Sequence, residues 1–213
     1  VGHVYEATVG RLFTTWYGAF MRRSDEVGLR EIRREALAGA SGRTLDIGTG
    51  TGSNLPLFPT GVDELVLAEP DPHMNKVLRG KLMEAAEPRP ELVQAPAESL
   101  PFPDSNFDCV TCTMVLCTVP EPGDALTEVV RVLKPGGKFL FLEHVRSEDP
   151  GFARRQDRLE KPWRFIADGC HCNRDSLATI KASPLRVESF KRGLMPLAPL
   201  FMKPLVYGSA TLA

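Results

Sequence analysis

The chain has 213 residues, 43% hydrophobic and 25% charged, with 26 Lys and Arg against 27 Asp and Glu for a net charge of −1. That length suits one domain with a substantial core, and the balanced charge offers no field for nucleic acid or an anionic membrane surface. No apolar run reaches the roughly 18 residues of a bilayer span, so no integral membrane segment is expected, and the odd set of five cysteines, all between Cys109 and Cys172, reads as reduced thiols of a cytoplasmic protein.

The chain starts at Val1 rather than Met, which leaves room for a preceding leader or anchor. Tyr5, Val9, Leu12, Phe13, Trp16 and Phe20 recur at three- and four-residue steps and predict an amphipathic first helix. A charged second helix is expected from Asp25 to Ala40, stopped by Ser41-Gly42. Residues 1–42 thus read as an N-terminal helical cap, and 43–213 as one α/β unit. Thr44–Ile47 reads as a short buried strand running into the glycine turn Gly48–Gly52, and Leu65–Ala68 as a second strand ending at Glu69. Asp71 and Pro72 have the character of an N-cap and first helical residue, with Met74, Val77 and Leu78 as the buried helix face.

Glu91–Gln94 is a short edge strand, and Phe107–Met114 a strand entered through the turn Pro103-Asp104-Ser105-Asn106. Asp124 is the expected cap of a helix with stripe Leu126, Val129, Val130 and Leu133, ended by Lys134-Pro135-Gly136-Gly137 before a fifth strand, Lys138–Leu142. Helical sequence between Phe152 and Ala182 precedes two closing strands, Leu185–Phe190 and Leu205–Leu212. Strands alternating with helices predict a doubly wound, mainly parallel sheet covered on both faces.

The strongest local signal is Asp46-Ile47-Gly48-Thr49-Gly50-Thr51-Gly52. Glycines directly after a buried strand let a ligand approach the backbone. Ser53 stands where a dinucleotide fingerprint has its third glycine, and no lysine is present to make a phosphate-gripping loop. Glu69 closes the neighbouring strand, where a carboxylate accepts both hydroxyls of a ribose. The pair points to a nucleoside without phosphate.

Asp46-x-Gly48-x-Gly50-x-Gly52, Glu69, Leu100-Pro101-Phe102, Phe107-Asp108 and Arg131-Val132-Leu133-Lys134-Pro135-Gly136-Gly137 resemble, in order and spacing, the class I S-adenosylmethionine-dependent methyltransferases, over about residues 43–145. The resemblance implies a Rossmann-like seven-stranded sheet of order 3-2-1-4-5-7-6, its last strand antiparallel, preceded by the N-terminal helices. It also implies that Asp46, Gly48, Thr49, Gly50 and Gly52 form the turn beneath the methionine part of the cofactor. Glu69 would hold the ribose, Pro70 and Met74 line the adenine, Ala97 and Glu98 meet its edge, and Thr113 lie near the sulfonium. Many relatives place an aspartate where Pro96 stands, so adenine recognition falls here to backbone, Glu98 or water.

A narrower resemblance rests on Thr113–Val119, Leu142-Glu143-His144-Val145, Trp163, Asp168-Gly169-Cys170, Arg174 and Tyr207-Gly208. These look like the methyltransferase-like family whose animal members methylate small alkyl thiols and carry an N-terminal membrane anchor. The resemblance implies a small, fairly apolar acceptor, a thiol first and a quinone- or phenol-type hydroxyl or an amine second. His144, following the fifth strand, is the candidate base, with local backbone hydrogen bonding as its other reading. Cys117, Trp163, Asp168 and His171 are candidates for the acceptor pocket, Trp163 serving equally well as core. Metal binding is not expected: Cys170-His171-Cys172 lacks chelating spacing, and Cys109 and Cys112, three apart on a strand, point to opposite faces. Oligomeric state is not written in the sequence.

Overall fold

The computed structural model describes residues 16, 18–84, 89–167 and 169–213. Seven strands form one sheet: β1 Gly42–Ile47, β2 Val62–Ala68, β3 Glu91–Val93, β4 Phe107–Thr113, β5 Leu133–His144, β6 Leu185–Leu194 and β7 Pro204–Leu212. Their order is β3-β2-β1-β4-β5-β7-β6, as the resemblance implied, with β7 antiparallel to both β5 and β6. Val110, Cys112, Phe139 and Phe141 sit in a core that also takes Leu126, Val129 and Val132 from a flanking helix. Cys109 packs with Ala40 and Leu140 in a separate cluster. Cys109 and Cys112 therefore do face opposite ways, as a period of two requires.

The helices are α1 Arg30–Leu37, α2 Pro72–Met83, α3 Pro122–Val132, α4 Pro150–Ile166 and α5 Ser176–Ala182. The predicted first helix lies largely outside the described residues. The predicted Asp25–Ala40 helix is broken: a wide turn spans Asp25–Leu29, Gly28 takes φ 124°, and the regular helix runs only from Arg30 to Leu37. Asp71 caps α2 as expected, its carboxylate accepting from the His73 and Met74 N–H groups. The predicted buried face of α2 needs correction. Val77 is 42% exposed, and Asn75 and Leu82 are buried with Met74 and Leu78.

Asp124 is not a cap. Pro122 at the first helical position starts α3 earlier, leaving Glu121 as an N-cap without a side-chain bond. Leu133 belongs to β5 rather than to the helix stripe. Pairing jumps from Phe107↔Leu133 to Cys109↔Lys138, so Lys134-Pro135-Gly136-Gly137 bulge out of the ladder instead of separating helix from strand. β6 and β7 are longer than predicted, and the segment between them carries one helical turn, Leu200–Met202. No helix among the described residues is long and apolar enough to cross a membrane.

Candidate active site

The sheet order reverses between β1 and β4, and ligands in open α/β sheets bind outside the strand ends at such a point. A cavity of about 850 Å³ opens there, bounded by Gly48, Gly50, Glu69, Met74, Glu98 and Thr113 on one side. Met114 continues into the other side, made by Cys117, His144, Trp163, Cys170, Met195 and Met202.

The glycine turn depends on its glycines in two ways. Gly48 has φ 60° and a Cβ there would stand 2.4 Å from Val115 Cγ2; Gly50 also has φ 60°, but its Cβ would meet nothing nearer than Met74 Sδ at 3.7 Å. Gly48 is thus a packing requirement, whereas Gly50 leaves backbone open to the cavity. Below the turn, Asp46 accepts from Thr111 Oγ1 at 2.6 Å and from Asn54 Nδ2 at 3.2 Å. Thr49 donates to the Asp46 carbonyl at 2.9 Å. Burial pushes the Asp46 carboxyl up to about 6, against the lowering by these hydrogen bonds. Asp46, Thr49 and Gly52 lie behind the cavity wall and hold its shape; Gly48 and Gly50 reach the surface.

Glu69 is 96% buried, and Glu69 Oε2 accepts the Gly50 N–H at 2.7 Å while Oε1 accepts that of Asp71 at 2.9 Å. Burial raises its carboxyl above the ordinary range, partly offset by these two bonds. Pro70, Met74, Pro96 and Ala97 lie along the same wall. Glu98 Oε1 is buried there without a hydrogen-bond partner among the described residues. A carboxylate pair of this kind, one bound to the glycine turn and one with an orphaned buried oxygen, suits the hydroxyls and amino group of an adenosine.

On the other side, His144 is buried, its Nδ1 has no hydrogen-bond partner among the described residues, and desolvation pulls its imidazole down to about 4 against the raising effect of hydrogen bonding to the Met202 and Pro204 backbone. The ring is therefore neutral near pH 7. Trp163 stacks edge-on against Phe201, with centroids 5.4 Å apart. Cys117 and Cys170 place their sulfurs 3.8 Å apart. His171 is not part of the cavity lining; its Nδ1 pairs with Glu160 at 2.8 Å. Asp168 lies outside the described residues.

Sequence reasoning missed two groups that shape the site. Glu143, fully buried, accepts the Val115, Leu116 and Cys117 N–H groups at 3.0–3.1 Å. It holds the turn after β4, whose first residue, Met114, has φ 62°. An acid directly after the apolar run Phe139–Leu142 was the available signal. Arg33 of α1 donates to Asn54 Oδ1 at 2.9 Å and Thr113 Oγ1 at 3.3 Å, tying the N-terminal helix to the glycine turn. Nothing in a charged helix marked that arginine as buried.

A methyltransferase domain model matches residues 45–141. The human thiol S-methyltransferase TMT1B is 34% identical over 181 residues, which is 83% of this chain and 74% of that protein. The chain belongs to the S-adenosylmethionine-dependent methyltransferases. A Pseudomonas fluorescens (strain Pf0-1) relative of this methyltransferase, the ubiquinone/menaquinone biosynthesis C-methyltransferase UbiE, is 46% identical over 110 residues, 49% of this chain and 42% of its own. Among solved structures, a Thermotoga maritima SAM-dependent methyltransferase, possible histamine N-methyltransferase, superimposes with TM-score 0.70 at 20% identity, covering 97% and 99% of the two chains. That likeness concerns the fold. The methyltransferase's cofactor is S-adenosylmethionine.

Proposed function

We propose that this methyltransferase moves a methyl group from S-adenosylmethionine to the thiol of a small, fairly apolar acceptor. The observation that carries the reading is a single cavity with two chemically different walls, one of carboxylates and bare backbone, the other of Cys117, Cys170, Trp163, Met195 and Met202. In this reading Glu69 accepts the ribose hydroxyls, and the Gly48–Gly50 backbone faces the methionine portion, braced from behind by Asp46, Thr49 and Gly52. Pro70 and Met74 pack on the adenine, with Ala97 and Glu98 at its edge. The unpartnered Glu98 Oε1 supports this, because Pro96 has no side-chain acceptor for an amino group. Thr113, at the junction of the walls, lies beside the reacting centre. Trp16, Phe20 and Met21 also line the cavity, which supports residues 1–42 as a cap over the domain 43–213.

Bound in this way, the cofactor supplies a methyl on a sulfonium whose leaving group needs no proton. The protein's work is then to align the acceptor and keep water out. A thiol with a pKa of about 8.5 is already a few per cent thiolate at neutral pH. His144, neutral and buried, offers a hydrogen-bonding atom that orients such an acceptor, which needs little help from a base. Trp163 and Cys117 form the apolar wall, and Asp168 and His171 follow Trp163 in sequence. The TMT1B relative supports the thiol. The UbiE relative favours a quinone-type acceptor, the second reading. However, a histidine held down to about 4 is a weak proton acceptor for a phenol with a pKa of about 10. The five cysteines are all free and buried, which supports a reducing, cytoplasmic setting.

Labelled cofactor incubated with matched thiols, phenols and amines tests the reading. Transfer is expected to small alkyl or aryl thiols first. Exclusive transfer to phenols or amines would replace the thiol assignment.

A further inference from the structure

Two of the five cysteines, Cys117 and Cys170, line the cavity; Cys109, Cys112 and Cys172 do not. Their sulfurs are 3.8 Å apart. A disulfide needs about 2.05 Å between sulfurs and Cα atoms about 4.4–6.8 Å apart. The two backbones already meet beside the pair, since the His171 N–H donates to the Cys117 carbonyl at 2.7 Å. A Cβ on Gly169 would stand 3.3 Å from the Thr118 carbonyl oxygen, so the strands of chain touch on both sides of Cys170. Closure requires the two sulfurs to approach by roughly 1.7 Å more.

Both sulfurs help line the acceptor wall, but neither reacts in the transfer argued above. Buried structural cysteines are usually inert, whereas reactive ones sit in accessible sites that favour thiolate. Cys170, though buried in the fold, lines the cavity, and the Cys117 thiol and then the Trp163 indole favour its thiolate against burial.

We propose that Cys117 and Cys170 form a redox pair that closes to a disulfide by exchange with small, uncharged organic disulfides entering the acceptor side of the cavity. The Cys170 thiolate attacks one sulfur of R–S–S–R; that S–S bond breaks, a Cys170–S–S–R bond forms, and RS⁻ leaves and takes up the proton Cys170 gave up. Cys117, losing its own proton, attacks the Cys170 sulfur and displaces the second RS⁻, which leaves as RSH. Two protein thiols are oxidised to one disulfide, and the reagent is reduced to two thiols. The bridge would fasten the segment after α4 to the end of β4 across the acceptor wall.

The test treats the intact protein with 2-hydroxyethyl disulfide, quenches by unfolding in an alkylating reagent, and counts alkylated cysteines by mass spectrometry. Three alkylated cysteines in place of five are expected, with a Cys117–Cys170 cross-linked peptide, and dithiothreitol should restore five. Five alkylated cysteines after treatment, a bridge between other cysteines, or arrest at a mixed disulfide in the wild type would each overturn the proposal. Cys117→Ala should instead arrest at a mixed disulfide on Cys170; unmodified Cys170 in folded C117A also overturns it. No methyl donor is present, so the count is independent of which acceptor the enzyme uses.

Discussion

The Gly50 N–H donates to Glu69 Oε2 at 2.7 Å, so the glycine turn after β1 and the acid after β2 form one unit. Each strand end fixes the other before any ligand arrives. Parallel pairing from Thr44↔Leu65 to Ile47↔Ala68 delivers both to the same edge of the sheet.

Glu69→Ala removes the acceptor from that unit and from the proposed ribose contact. Hydrogen bonds to a charged group contribute about 1.5–3 kcal/mol each, so losing even one of the ribose contacts should lower adenosylhomocysteine affinity by at least about 10- to 100-fold. Calorimetric titration checks this, and unchanged affinity would remove Glu69 from the binding site.

Gly48→Ala should destabilise the protein by about 2–5 kcal/mol. A left-handed backbone costs a non-glycine residue about 1–2 kcal/mol, and overpacking about 1–3 more, because the new methyl would stand 2.4 Å from Val115 Cγ2. Urea unfolding measures the loss. Gly50→Ala, with nothing nearer than Met74 Sδ at 3.7 Å, should lose the backbone part alone.

Glu143→Ala leaves the Val115, Leu116 and Cys117 N–H groups without their acceptor. A buried donor left without a partner costs about 1–3 kcal/mol, so the loss of this shared acceptor should destabilise the fold by at least that much. Glu143→Gln, which keeps one oxygen, should fall between wild type and Ala in the same denaturation series.

His144 sets a pH dependence with a definite sign. Its folded-state pKa of about 4 lies below the ordinary 6.5, so the unfolded chain binds the proton more readily. The stability linked to this group is present above pH 6.5 and is lost as pH falls to about 4, by roughly 3 kcal/mol. The wild-type advantage over His144→Asn should shrink by that amount between the two pH values in paired denaturant titrations. The methylation rate should show no His144 inflection near pH 6.5.

Much of the nucleotide side was legible because its determinants are local. Gly48 and Gly50 adopt positive φ within a single turn, and the Asp71 cap is written in three consecutive residues. Glu69 was legible because parallel strands of matched length bring their ends together. The acceptor side was harder to read, because its contacts join distant segments: Cys117 to Cys170 across 53 positions and Arg33 to Thr113 across 80. Val77 and Asp124 were misread for a related reason. Which apolar residue of a helix is covered depends on the neighbouring layer, and Pro122 moved the helix start two positions ahead of Asp124.

Met195, Ala198, Pro199 and Met202 reach the cavity from the connection between β6 and β7, far along the chain from the glycine turn. Loops of this sort tolerate replacement while the sheet beneath them stays constant. The repertoire of accepted molecules can therefore diversify through edits to one C-terminal hairpin tip, leaving the donor half of the enzyme as a fixed chassis.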